Sequence, residues 1–105
     1  TAHPAASAGG PGQGLDTLGQ ALDCLRKIGL LAEAAGGSRD NVMKLVVYLT
    51  DIANKDAVAA ARRQLLAAPY PASTLVAVKA LVRPELTIEI DATIRLDARR
   101  STLAP

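Results

Sequence analysis

Aromatic residues are nearly absent: 105 residues contain no Trp, no Phe and only Tyr48 and Tyr70, although half of the chain is hydrophobic. That half is mostly Ala, Leu and Val, so the core has to be built from small and branched aliphatics. Two tyrosines cannot form a platform on which bases stack. The basic residues occur singly or in pairs (Arg26-Lys27, Arg62-Arg63, Arg99-Arg100) rather than in the stripe that follows phosphates. With a net charge of only +2, nucleic acid is not an expected partner. The single cysteine, Cys24, excludes an internal disulfide, and with one histidine, His3, a Cys/His zinc set cannot be assembled in one chain. No metal and no cofactor are expected: a G-x-S-x-G elbow, a phosphate loop after a strand and an H-E-x-x-H pair are all missing. Gly9-Gly10-Pro11-Gly12 has no strand ahead of it. No apolar run approaches the roughly 20 residues of a membrane span, and no basic start leads into a hydrophobic stretch. The expectation is a cytoplasmic protein with no membrane contact.

Length and charge then set the frame. About a hundred residues make one ordinary domain, and 21% charged residues is near the globular average. Residues 1–14 (TAHPAASAGGPGQG) bury too little apolar surface to offset their ordering entropy and read as a flexible arm. A single domain is expected over 15–105.

Leu15, Leu18, Leu22 and Leu25 recur at helical steps and predict a helix over about 16–35. Asp16 stands at its start, where a carboxylate suits the helix dipole, and Gly36-Gly37 at its stop. Gly29 weakens that helix by about 1 kcal/mol relative to Ala, which marks either a close contact or a local irregularity there. Cys24 reads as a core residue rather than a nucleophile. Residues 42–50 (VMKLVVYLT) are β-branched and apolar at successive positions, the pattern of a strand buried on both faces, with Ser38 and Asp40 supplying turn chemistry ahead of it. Residues 51–56 read as a loop ending in a helix cap, and 57–68 as a helix with Val58, Ala61 and Leu65 inward and Arg62-Arg63 outward, ended by Pro69 and Pro71. A second strand over 73–82 completes a crossover unit, so these two strands are expected to be parallel.

Residues 86–97 (LTIEIDATIRLD) alternate apolar and polar at every step, a long strand with one dry face. The link Arg83-Pro84-Glu85 predicts that it runs antiparallel to the strand before it. Glu89 and Asp91 share its polar face, where a carboxylate can position a water or carry a proton. Ser73 and Thr74 add hydroxyls. Read on pattern alone, that face is a solvated one with cross-strand pairs to Lys79 or Arg95.

Three stretches change the reading. Asp40-Asn41-Val42-Met43-Lys44 running into Val47-Tyr48-Leu49-Thr50-Asp51 resembles the "DVVK–VYLTD" of the YjgF/Rid family, also called the L-PSP endoribonuclease-like family. Pro71-Ala72-Ser73-Thr74-Leu75-Val76 resembles its "PAR(S/T)xV", and Arg83-Pro84-Glu85 followed by Ile88-Glu89-Ile90-Asp91-Ala92 resembles its "(V/I)EIEA". Together with Ala32-Glu33-Ala34-Ala35-Gly36, the resemblance covers about residues 15–97.

The resemblance implies an α/β (α+β) fold of chorismate-mutase-like architecture: a mixed sheet with two helices packed on one face. It also implies a homotrimer and clefts for a small-molecule ligand between subunits. Well-known members of the family hydrolyse reactive enamines and imines such as 2-aminoacrylate to a keto acid and ammonia. In them an arginine holds the substrate carboxylate and a glutamate positions water. The glutamate corresponds to Glu89 and the hydroxyl position to Thr74. The arginine is replaced by Ser73, and a hydroxyl does not reproduce a guanidinium fork. An asparagine of the family is replaced by Ala59. The family's leading β-hairpin, ending near "SGQ", has only the Ala/Gly/Pro arm opposite it here.

Two functions therefore compete. One is hydrolysis or deamination of a small enamine or imine, with Glu89 catalytic and Ser73 and Thr74 binding substrate. The alternative is a non-catalytic trimer that binds a small molecule or a partner protein. Ribonuclease activity, attached to the family name, lacks a histidine in the expected domain for acid–base cleavage.

Overall fold

A computed structural model of the protein describes residues 16–102. The 1–14 arm and His3 lie outside the described residues. Asp16 opens the first helix, its Oδ1 accepting from Gly19 N at 2.7 Å, and Thr17–Ala34 form α1. The helix stops where the glycine pair predicts. Gly36 adopts φ +94°, a conformation that costs a glycine little, and the N–H of Gly37 closes onto Ala32 O at 2.8 Å. Ser38 and Asn41 then cap one another across a 3₁₀ turn, Arg39–Asn41, which aims the chain into β1 (Val42–Leu49).

After β1, Asp51 caps a second 3₁₀ turn at Ile52–Asn54, and α2 follows at Lys55–Leu65. This helix starts two residues before the expected 57 and ends three before 68. Its last turn is released early because Leu66 is extended and buried, and the carbonyls of Ala67 and Pro69 are taken by the Arg100 guanidinium. The sheet is completed by β2 (Ala72–Ala77) and β3 (Ile88–Ile94), and a 3₁₀ turn at Arg100–Thr102 ends the described chain.

The strand order is β2-β1-β3, with β1 parallel to β2 and antiparallel to β3. The architecture is the expected mixed α+β sheet with two helices. β3 does run opposite to β2, but it is not β2's neighbour: residues 78–87 carry the chain past β1 to the other edge. The second and third strands are also shorter than 73–82 and 86–97. Thr87 leaves the alternation because its amide and hydroxyl bond to Gln20 Oε1 at 2.9 and 3.3 Å, and its hydroxyl meets that of Thr17 at 2.8 Å. At the other end, the buried Asn41 side chain donates to Arg95 O at 3.2 Å and Ala98 O at 2.8 Å and bends the chain away from β1. Leu96, beyond that bend, is 53% exposed instead of lying on the dry face.

One face of the sheet carries the core. Leu45, Val47 and Leu49 of β1 and Ile88, Ile90 and Ala92 of β3 are buried with Ala21, Cys24, Leu25 and Ile28 of α1 and with Val58 and Ala61 of α2. Both helices thus cover the same face. The buried stripe of α1 is rotated from the Leu18/Leu22 line, which is only partly buried, because this helix packs on β3 and α2 together. The opposite face of β1 departs from the prediction of burial on both sides: Lys44 is exposed, and Val46 and Tyr48 are half-buried. No helix among the described residues is long and apolar enough to cross a membrane.

Leu45→Ala removes a fully buried side chain from the middle of the central strand. It should lower unfolding free energy by about 2–5 kcal/mol, whereas Leu96→Ala should change it by less than about 0.5 kcal/mol. Urea titration of the two variants measures the contrast.

Candidate functional site

The register of the sheet assigns every candidate side chain to a face. Tyr48 is opposite Glu89 on one side and Val76 on the other, while Val46 is opposite Asp91 and Thr74. Glu89, Asp91 and Thr74 therefore share the face that the helices leave uncovered. Glu89 and Asp91 are half-buried there and Thr74 is exposed. Thr74 and Asp91 flank β1, so their backbones are separated by two strand spacings, about 10 Å. A small molecule of that span could touch a carboxylate of β3 and a hydroxyl of β2 across the Val46 and Tyr48 side chains. Ser73 pairs with Leu45 and lies on the helix-covered face. It is exposed because β2 is an edge strand among the described residues. The structure thus brings Thr74 to the face of Glu89 and turns Ser73 away from it.

Two pairings expected for a merely solvated face can be compared with the geometry. Arg95 does not reach across to Glu89; its guanidinium grips Asp97 in a two-pronged contact, Nε to Oδ1 at 3.1 Å and Nη2 to Oδ2 at 2.8 Å. Lys79 lies beyond the end of β2, in the crossing segment.

Sequence reasoning missed a cluster of arginines around the turn between α2 and β2. Arg39 donates to Leu65 O at 3.3 Å, Arg62 to Pro71 O at 3.3 Å, and Arg100 to Ala67 O, Pro69 O and Arg39 O. Four carbonyls of one seven-residue segment, 65–71, are each taken by a guanidinium. Arg100 is only 4% exposed, and that burial, with the neighbouring charge of Arg62, lowers its pKa. Arg39 lies across Gly29, where a Cβ would come within 2.8 Å of its Nε, so Gly29 does mark a close contact. The pairs Arg62-Arg63 and Arg99-Arg100 were visible in the sequence, but their partners are backbone atoms about ten to sixty positions away. Local spacing carries no signal of such contacts.

Asp40 closes this end of the fold. Its carboxyl is held below the usual range, chiefly by the Ser101 hydroxyl that donates to it, with the Ser101 amide and the charges of Arg100 and Arg99 adding to this. Cys24 is buried in the core, and burial foremost pushes its thiol up to about 12. It is a packing residue, not a nucleophile. Among the described residues, no group of three or more His, Cys, Asp and Glu side chains could hold a metal.

Arg100→Ala leaves at least three carbonyls without their donor and should destabilise the fold by several kcal/mol, at about 1–3 kcal/mol per buried unsatisfied group. Arg99→Ala, at an exposed position, should fall within about 0.5 kcal/mol of the parent. A lowered carboxyl pKa stabilises the fold above the ordinary value of 3.8, and that contribution disappears as the pH falls below it. Ser101→Ala should therefore reduce the acid sensitivity of the melting temperature near and below pH 4, measured as Tm against pH. In the folded protein Cys24 should react with a thiol reagent at neutral pH only as fast as the chain unfolds. Modification kinetics across a denaturant series test this.

Comparison with known proteins agrees with this fold. The family model described as Endoribonuclease L-PSP matches residues 4–96. A crystal structure of a protein of unknown function from Pseudomonas aeruginosa is 48% identical over 90% of this chain and 68% of its own, with a TM-score of 0.82. RidA from an Antarctic Psychrobacter is 34% identical over 73% of this chain and 62% of its own, with a TM-score of 0.70. TdcF of E. coli, crystallised with bound serine, is 26% identical over 77% of this chain and 66% of its own, with a TM-score of 0.68. The chain spans less than two thirds of the Psychrobacter protein's length. None of the curated proteins is similar to it. By the family model and by these structures, the chain belongs to the endoribonuclease L-PSP family, the YjgF/Rid group.

Proposed function

We propose that this protein hydrolyses a small reactive enamine or imine at clefts formed between subunits of a homotrimer. The observation that carries the reading is Glu89, a half-buried carboxylate on the sheet face opposite the helices, within a chain of this family. Burial with apolar neighbours on β1 favours a second copy over that face: Val46 and Tyr48 form its floor, and the edge strand β2 presents exposed Val76. The bound serine of TdcF is an amino acid, close in size and polarity to a 2-imino acid.

The chemistry needs only this chain's residues and water. Glu89 accepts a proton from a water as its oxygen attacks the imine carbon, giving a carbinolamine. The protonated Glu89 returns that proton to the nitrogen, then takes up the carbinolamine's hydroxyl proton and passes it to the nitrogen in turn, so that the C–N bond breaks, the carbonyl forms and ammonia leaves. Thr74 donates a hydrogen bond to the ligand from the same face, and Ser73 serves a ligand that reaches round the edge of β2. A neutral hydroxyl at residue 73 favours a substrate held otherwise than by the bidentate guanidinium contact of the family's 2-imino acid enzymes. That substitution also favours the second reading, a non-catalytic trimer that binds a small molecule.

The test is release of ammonia and keto acid from enzymatically generated 2-aminoacrylate and bulkier imines, compared with the spontaneous rate. Turnover should be lost by roughly 100-fold or more in Glu89→Gln, with the oligomer and Tm preserved. No acceleration on any imine by the parent chain would sink the hydrolase and leave the binding protein. Dissociation of the oligomer in Glu89→Gln would make Glu89 an interface acid.

A further inference from the structure

On the outer side of α2 a cavity of about 190 Å³ is lined by Ala59, Arg62, Arg63 and Tyr70. Positions 59, 62 and 63 are three and four apart, so they form one stripe of the helix. Val58 and Ala61 face the core instead. The fourth wall comes from Tyr70, in the turn that leads to β2. The Arg62 guanidinium carbon is 5.6 Å from the centre of the Tyr70 ring, and its Nη2 donates to Pro71 O. The ring and that carbonyl fix the direction of the fork.

The charges here are not balanced as they are at Arg83 and Arg95. Arg83 pairs with Glu85, and Arg95 with Asp97. The guanidinium of Arg100 donates to three backbone carbonyls, while Arg39, like Arg62, gives one nitrogen to the turn and lies across Gly29, away from this cavity's lining. Arg62 and Arg63 form no ion pair among the described residues, and no carboxylate lines their cavity. Arg62 Nε is buried and has no hydrogen-bond partner, and Pro71 O engages only Nη2. Two positive charges therefore face one concavity whose remaining walls are a methyl group, an aromatic ring and the aliphatic stems of the arginines. Such a combination selects for an anion with a short apolar body. A planar carboxylate matches the guanidinium fork better than a heavily hydrated inorganic ion does.

We propose that this cavity is a binding site for a small organic monocarboxylate, its carboxylate held between Arg62 and Arg63 and its apolar tail against Tyr70 and Ala59. The site is separate from the Glu89 face, since α2 covers the opposite side of the sheet, and it stands or falls independently of turnover there.

The probe is butyrate, titrated calorimetrically into the full chain at low salt, with neutral butyramide of nearly the same shape beside it. Butyrate should bind about tenfold or more tightly than butyramide, the value of a charge-assisted contact, and the difference should shrink as salt rises. Arg63→Gln alters an exposed residue and should weaken butyrate by about tenfold with Tm unchanged. Arg62→Lys keeps the charge and removes the fork, and it should weaken butyrate while leaving the protein folded. Equal binding of butyrate and butyramide, no binding of either, or an unchanged affinity in both variants would overturn the proposal. So would binding of inorganic phosphate without butyrate, which would mark a general anion site.

Discussion

Everything in this molecule hangs on a central strand that has to satisfy both of its edges. β1 is paired along its length to β2 on one side and to β3 on the other. It also supplies Leu45, Val47 and Leu49, which are fully excluded from water. A side-chain period of two means that burying these three on one face sends Lys44, Val46 and Tyr48 to the other. The helices α1 and α2 can cover only one face. The candidate functional face is therefore the one that the helices leave uncovered: Glu89 and Asp91 brought up by β3, Thr74 by β2, and a half-buried apolar floor between them.

The polar contacts that hold this arrangement are few and mostly reach far along the chain. Gln20, buried on α1, holds the amide and hydroxyl of Thr87 and donates to Glu85 O at 3.1 Å, which anchors the segment that carries the chain across the sheet. Asn41 does the same for the exit from β3. Arg39, Arg62 and Arg100 hold the carbonyls of residues 65–71, a stretch that cannot be helical once Pro69 and Pro71 interrupt it. Without those guanidiniums, these part-buried backbone acceptors would lose their donors. A chain with almost no aromatic side chains has compensated with buried amide and guanidinium groups that tie loops to helices.

The candidate chemistry divides between two regions with different physical characters. On the open sheet face a carboxylate and a hydroxyl stand about two strand spacings apart over apolar residues, a setting for water and a small polar ligand. On the outer side of α2 an arginine pair meets an aromatic ring, a setting for an anion. The replacement of a family arginine by Ser73 removes positive charge from the edge of β2. Arg62, eleven residues upstream of that position, holds its guanidinium against the carbonyl of Pro71, two residues before it.

Local chemistry made much of this legible in the sequence. Asp16 and the Gly36-Gly37 pair mark the two ends of α1, because a cap bond and a positive φ act within a few residues. The strict alternation through Ile88, Glu89, Ile90 and Asp91 marks β3 and places both acids on one face. The family motifs place Glu89 among residues of known chemistry in related proteins. The tertiary structure alone decided where that alternation ends, since Thr87 answers to Gln20 and Arg95 to Asn41, partners more than fifty residues distant. It decided that β3 lies beside β1 rather than β2, because adjacency in a sheet is set by which faces must bury against the helices. It also turned Ser73 and Thr74, neighbours in the chain, to opposite sides of the sheet. A sequence specifies what each residue can do over a few positions; which distant backbone atom it meets is settled only when the whole core closes.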